Sequence, residues 1–71
     1  MEAEIRRWVE RFFRRIEYAR LKDLIDYVAE NTNLPVENIK EVIEQMEDEG
    51  ILRIEVFYMK FYPPPGENEE L

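Results

Sequence analysis

The sequence contains no cysteine, no histidine and no serine, and its only threonine is Thr32. Without cysteine there is no disulfide, no thiolate nucleophile and no Cys-based zinc site. Without histidine, the commonest general base and the other usual zinc ligand are missing. The nucleophile–base pairs of covalent catalysis cannot be assembled from what remains. Glycine occurs only at Gly50 and Gly66, too rarely for a loop that cradles phosphate. The chain therefore reads as a non-enzyme with no cofactor and no metal. No apolar run approaches the ~20 residues that span a bilayer, and the first residues lack the apolar stretch of a signal peptide. A soluble, cytoplasmic protein with no membrane contact is expected.

With 71 residues there is room for one domain, and a chain of this size buries only ~60% of its unfolded surface. The formal charge is −7, but it is unevenly spread. Residues 1–22 hold seven Arg and Lys against four Glu, a net of +3. Residues 23–50 hold one Lys and nine acids, a net of −8. Such asymmetry bears on partners rather than on fold. Abundant Glu, Arg and Lys with a single Gln resembles the usage of hyperthermophilic, archaeal-type proteins, in which ion-pair networks gain value with temperature.

Met1 to Glu17 predicts a first helix, because Ile5, Trp8, Val9, Phe12, Phe13 and Ile16 recur at i, i+3 and i+4. Trp8, Phe12 and Phe13 are expected in the core, where aromatic burial dominates small domains. Arg6, Arg7, Arg11, Arg14 and Arg15 fall mostly off that stripe, with Glu4 and Glu10 spaced for ion pairs. Together with Arg20 and Lys22 they form either a solvated charged face or a basic patch for phosphate or an acidic protein surface.

Two shorter amphipathic segments follow a link at 17–21. Leu21, Leu24, Ile25 and Val28 mark a second helix, roughly Lys22 to Asn31, with a turn-prone exit at Asn31-Thr32-Asn33. Val36, Ile39, Val42, Ile43 and Met46 mark a third, about Pro35 to Glu49, with Pro35 expected at its first helical position. Gly50 fits the left-handed residue just past a helix end, and the β-rich Ile51-Leu52-Arg53-Ile54 starts at once.

Helix, short turn, helix, glycine and strand resembles the helix-turn-helix core of winged-helix domains. The ending Met46-Glu47-Asp48-Glu49-Gly50-Ile51-Leu52 is similar to that family's passage from recognition helix to first wing strand. The resemblance implies a mainly α, three-helix winged-helix-like domain over 1–62 with a small, reduced or atypical wing. It also implies a brief strand near Tyr18 to Leu21. A DNA-binding member of the family would read the major groove with its third helix. Here the outward positions of that helix include Glu37, Glu41, Glu44, Glu47, Asp48 and Glu49 against the single basic residue Lys40. Duplex affinity comes largely from cations that displace counterions, so this face argues against nucleic acid at the third helix.

From Ile51 to Tyr62 no Gly, Pro, Asn or Asp interrupts the chain, although tight hairpins favour such residues. The alternation also changes phase: Leu52, Ile54 and Val56 share one face, then Phe57, Met59 and Phe61 take the other. Either an irregular turn lies near Val56-Phe57-Tyr58 or both faces of one long strand are covered. The second apolar set then either packs on the first helix of the same chain or stands at an exposed edge. In the last, Phe57, Met59 and Phe61 would bind a second copy or another protein. Pro63 to Pro65 predicts a stiff stop, and 66–71 an acidic, disordered tail. The functional expectation is a winged-helix protein-interaction module, an accessory subunit of a replication or transcription assembly. The alternative is a homodimeric DNA-binding regulator that contacts phosphates through the arginines of the first helix.

Overall fold

The computed structural model describes residues 1–55 and 58–63, with 54 and 55 by backbone alone. The expectations for Phe57, for Val56 and for the tail beyond Pro63 lie outside the described residues. The elements run α1 (Glu2–Phe12), β1 (Tyr18–Ala19), α2 (Leu21–Thr32), α3 (Val36–Asp48), β2 (Leu52–Glu55) and β3 (Tyr58–Phe61). Three helices and a small antiparallel sheet enclose one core, as the mainly α reading anticipates.

Each helix contributes the stripe its sequence spells. Ile5 and Val9 of α1, Leu24, Ile25 and Val28 of α2, and Ile39, Val42, Ile43 and Met46 of α3 are buried together. Leu52 and Met59 close the core from the sheet side. No polar or charged residue is buried among those described, so the core costs no desolvated charge.

The helix ends differ from expectation in instructive ways. α1 stops at Phe12, five residues before the predicted Glu17. Phe13 takes the cap position with φ −82° and ψ 0°, and the Arg14 N–H donates to the Arg11 carbonyl at 3.2 Å. Ile16, at the end of the predicted stripe, is 41% exposed. The early stop leaves enough chain for Tyr18 and Ala19 to join the sheet. Pro35 sits at the N-cap of α3 with φ −60° and ψ 142°, one residue before the first helical position. Its extended ψ cannot be helical, while its fixed φ suits the chain entry.

α2 ends on Asn33 in the left-handed region (φ 58°), with its N–H on the Ala29 carbonyl. The Thr32 hydroxyl donates to the Val28 carbonyl at 2.7 Å and accepts from the Leu34 N–H at 3.2 Å. α3 ends as expected on Gly50, whose φ is 80°. The Gly50 N–H donates to the Glu47 carbonyl and the Ile51 N–H to the Met46 carbonyl, at 3.0 and 2.9 Å. This double closure is the Schellman arrangement, which requires a left-handed residue at that position.

The sheet order is β1-β3-β2, all antiparallel. β2 and β3 pair with Leu52 opposite Phe61, Arg53 opposite Lys60, and positions 54 and 55 opposite Met59 and Tyr58. β1 pairs on the far side of β3, Tyr18 with Lys60 and Ala19 with Met59. The register explains the phase change in the sequence. Folding the chain back between 55 and 58 brings positions 52 and 54 onto the same face as 59 and 61.

Candidate functional site: an arginine and aromatic surface at the end of α1

The strand set offered by sequence to a partner is the first to be relocated. Met59 is 2% exposed and lies in the core. Phe61 is partly buried and stacks on Phe13, with ring centroids 5.8 Å apart and planes 13° from parallel. β3 is the middle strand, so both of its edges are already paired. Of the two placements open for this set, Met59 and Phe61 take the internal one, against α1 and the core, and the partner-seeking edge is corrected for these two residues. Met59 and Phe61 turn toward the helices, whereas Tyr58 on the same strand is 42% exposed.

Phe13 and Phe61 are the end of a longer aromatic seam. Trp8 meets Tyr27 edge-on at 5.9 Å, Tyr27 meets Phe12 at 5.0 Å, and Phe12 meets Phe13 edge-on at 5.4 Å. Five rings thereby link α2 through α1 to β3. All five are partly buried, and Trp8, Phe12 and Phe13 pack against the core as expected while keeping part of their surface open. Such ring pairs add about 0.5–1.5 kcal/mol each beyond their area burial.

The basic residues divide into two groups. Arg11, Arg14 and Arg15 line one open cavity of about 530 Å³ whose other walls are Phe12, Ile16 and Tyr27. Arg14, Arg15 and Ile16 also wall a second cavity of about 280 Å³, on the side of Phe13, Lys60 and Phe61. The early end of α1 makes this arrangement. It turns Arg14 and Arg15 out beyond the last helical turn while Phe13 swings onto the sheet. Arg11 lies over the Trp8 ring, 5.0 Å from its centroid, a cation–π contact that orients the guanidinium. Arg7, Arg20 and Lys22 are exposed and line neither cavity. Lys22 pairs instead with Asp26 at 3.2 Å.

Among the described residues no carboxylate lines the larger cavity. Among the described residues, none is in ion-pair contact with Arg11, Arg14 or Arg15. The second cavity includes Glu17, but Glu17 faces Lys60 at 3.5 Å. Lys60 also lies over the Tyr18 and Tyr62 rings, at 5.3 and 5.6 Å. Its ammonium is held above the ordinary lysine value, first by Tyr18, then by Tyr62 and Glu17. Lys60 therefore has a carboxylate partner within the fold, whereas among the described residues the three arginines have none.

The ion pairs expected at Glu4 and Glu10 are absent among the described residues. Arg6 serves instead: its Nε reaches Glu2 at 3.0 Å, and its two terminal nitrogens hold Glu49 bidentately at 2.7 and 2.8 Å. Hydrogen bonding from Arg6 holds the Glu49 carboxyl below the usual carboxylate range, and Glu49 holds Arg6 above its own.

The α3 face stands as the sequence suggests. Glu37, Glu41, Glu44 and Asp48 are exposed, and Glu47 is partly so. None of these five has an ion pair among the described residues. They do not converge on a group of three or more that could hold a metal ion. An apolar groove of about 330 Å³ lies between α2 and α3, lined by Leu21, Ile25 and Val36 with Lys22, Asp26 and Lys40 at its margins. Among the described residues no helix is long and apolar enough to cross a membrane.

No family model, curated protein or solved structure matches the chain. The site itself has to carry any functional reading.

Proposed function

We propose that this chain is a winged-helix protein-interaction module, an intracellular accessory subunit of a nucleic-acid-processing assembly such as replication or transcription machinery. The observation that carries the interaction role is the exposed α3 face, where Glu37, Glu41, Glu44, Glu47 and Asp48 stand without countercharge among the described residues. A third helix bearing that field would be repelled by a duplex with one phosphate charge per ~1.7 Å of axis. Support for the winged-helix form comes from the element order and from a sheet whose last strand lies between the other two. The nucleic-acid-processing setting follows from analogy with that fold class.

A second reading, a homodimeric DNA-binding regulator, is favoured by Arg11, Arg14 and Arg15 on α1 and the turn after it, which have no ion pair among the described residues. Fluorescence anisotropy with a random duplex at low salt separates the two. The interaction-module reading expects no measurable binding. It also expects that replacing Glu37, Glu41 and Glu44 together by Lys creates salt-sensitive duplex affinity without loss of helicity, since all three are exposed. Duplex binding by the unmodified protein that weakens steeply with added salt would establish the regulator instead.

A further inference from the structure

We propose that Arg11, Arg14 and Arg15, with Phe12, Ile16 and Tyr27 between them, bind a short acidic peptide segment that carries one large apolar side chain. The inference rests on the interaction-module reading and names the surface and the chemistry of the partner.

Three observations define the occupant. The first is charge. Three guanidinium groups line the cavity, no carboxylate does, and no ion pair occupies them among the described residues. Guanidinium is always protonated and matches carboxylate in bidentate geometry. The second is the floor. Phe12, Tyr27 and Ile16 supply apolar surface, and Ile16 is 41% exposed where the helical stripe expects it covered. A buried anchor surrounded by charge-assisted contacts is the pattern by which short segments obtain most of their binding energy. The third is shape. Arg14, Arg15 and Ile16 wall both this cavity and the neighbouring one, so the surface continues from the α1–α2 side to the sheet side. An extended chain covers two adjoining hollows that a single small anion would not.

Nucleic acid fits the same arginines less well. A duplex has no apolar side chain to place on Phe12 and Ile16. It also extends far enough to meet the acidic remainder of a chain whose net charge is −7. A short peptide ends near the rim, and the acidic faces beyond about 8 Å are screened from it at physiological salt. A single strand that stacks a base on Tyr27 is the competing occupant.

The only tryptophan reports on the site directly, since Trp8 packs against both Arg11 and Tyr27. The test is a Trp8 fluorescence titration of the full chain with three probes. These are a peptide of alternating Asp and Glu with a central Leu-Phe pair, the same peptide with Gly-Ser at its centre, and an oligo(dT) strand. The Leu-Phe peptide should saturate, and both the Gly-Ser peptide and the double variant Arg14→Glu, Arg15→Glu should bind at least about tenfold more weakly. Arg14→Gln with Arg15→Gln, checked for helicity, gives the same readout should the charge reversal unfold the chain. No saturable response to the Leu-Phe peptide overturns the proposal, as does equal binding by the arginine variants. Tighter binding of oligo(dT) than of the peptide overturns it in favour of a single strand. The interaction-module reading is judged separately, by the random duplex. A chain that ignores both the peptide and the duplex loses this surface and keeps that reading.

Discussion

At the C-terminal end of α3 the stop is local. Gly50 takes φ 80°, and a Cβ built there would meet nothing within 4 Å, so backbone conformation alone demands the glycine. At the end of α1 the neighbouring residues offer no such signal: Phe12, Phe13, Arg14, Arg15 and Ile16 could all continue a helix. The stop there is made by distant groups, as Phe13 leaves the helical path to stack on Phe61. Charge reverses in the same way. α1 carries Arg11 in its last turn, followed by Arg14 and Arg15, which complement the negative end of its dipole. α3 ends in Glu47, Asp48 and Glu49 with no basic residue in its last turn, which opposes its dipole. Arg6 of α1 supplies the missing cation by gripping Glu49. One helix end is self-sufficient in charge and dependent in shape, and the other is the converse.

The comparison can be broken first at what both helices share. Leu24 of α2 is fully buried in the core beside Ile5 and Ile39. Leu24→Ala should cost ~2–5 kcal/mol, a large part of the stability of so small a domain. Thermal or urea unfolding measures it, and a near-wild-type midpoint would mean that the cavity collapses at no cost.

Phe13→Ala addresses the tertiary stop. Loss of its contacts with Phe61 and Phe12 should cost about 1.5–3 kcal/mol, less than a fully buried Phe. Far-UV circular dichroism of the folded variant should show helicity kept or raised, because α1 is freed to run on toward Ile16. A fall in helicity would show that Phe13 supports the helix rather than ending it.

Gly50→Ala addresses the local stop. The left-handed conformation costs a residue with a side chain roughly 1–2 kcal/mol, and open space around the position adds nothing further. Gly50→Asn should lose less, since Asn tolerates that region, as Asn33 does at the end of α2. Equal stability of all three would show that the backbone relaxes to another closure.

The smallest effect belongs to the charge exchange. Arg6 lowers the Glu49 carboxyl relative to the unfolded chain. The stabilisation is therefore present above the unfolded value and is lost as pH falls through the folded one. Glu49→Gln should flatten the acid side of the melting profile and change little else, because the pair is largely solvated. An unchanged acid limb would show that the Arg6 grip contributes nothing in solution.

Helix periodicity, the Gly50 closure and the acidity of the α3 face were legible because each depends on neighbours in the chain. Apolar spacing at 3.6 residues, one left-handed residue and the charge of a helical face are local quantities. The same reasoning overran α1 by five residues and left open whether Met59 and Phe61 pack on the first helix or stand at an exposed edge. It had no means of knowing that Phe61 would sit beside Phe13. The pairing of β2 with β3 stayed one alternative among others for the same reason: the segment lacks turn residues, and its phase change reads as ambiguity until the strands are paired. The cavity between Arg11, Arg14, Arg15 and Tyr27 joins residues from α1, the turn after it and α2. Sequence alone named the basic and aromatic residues of this chain. Only tertiary packing decided which of them share a surface, because contacts between α1, α2 and β3 form across the core and leave no periodic mark along the chain.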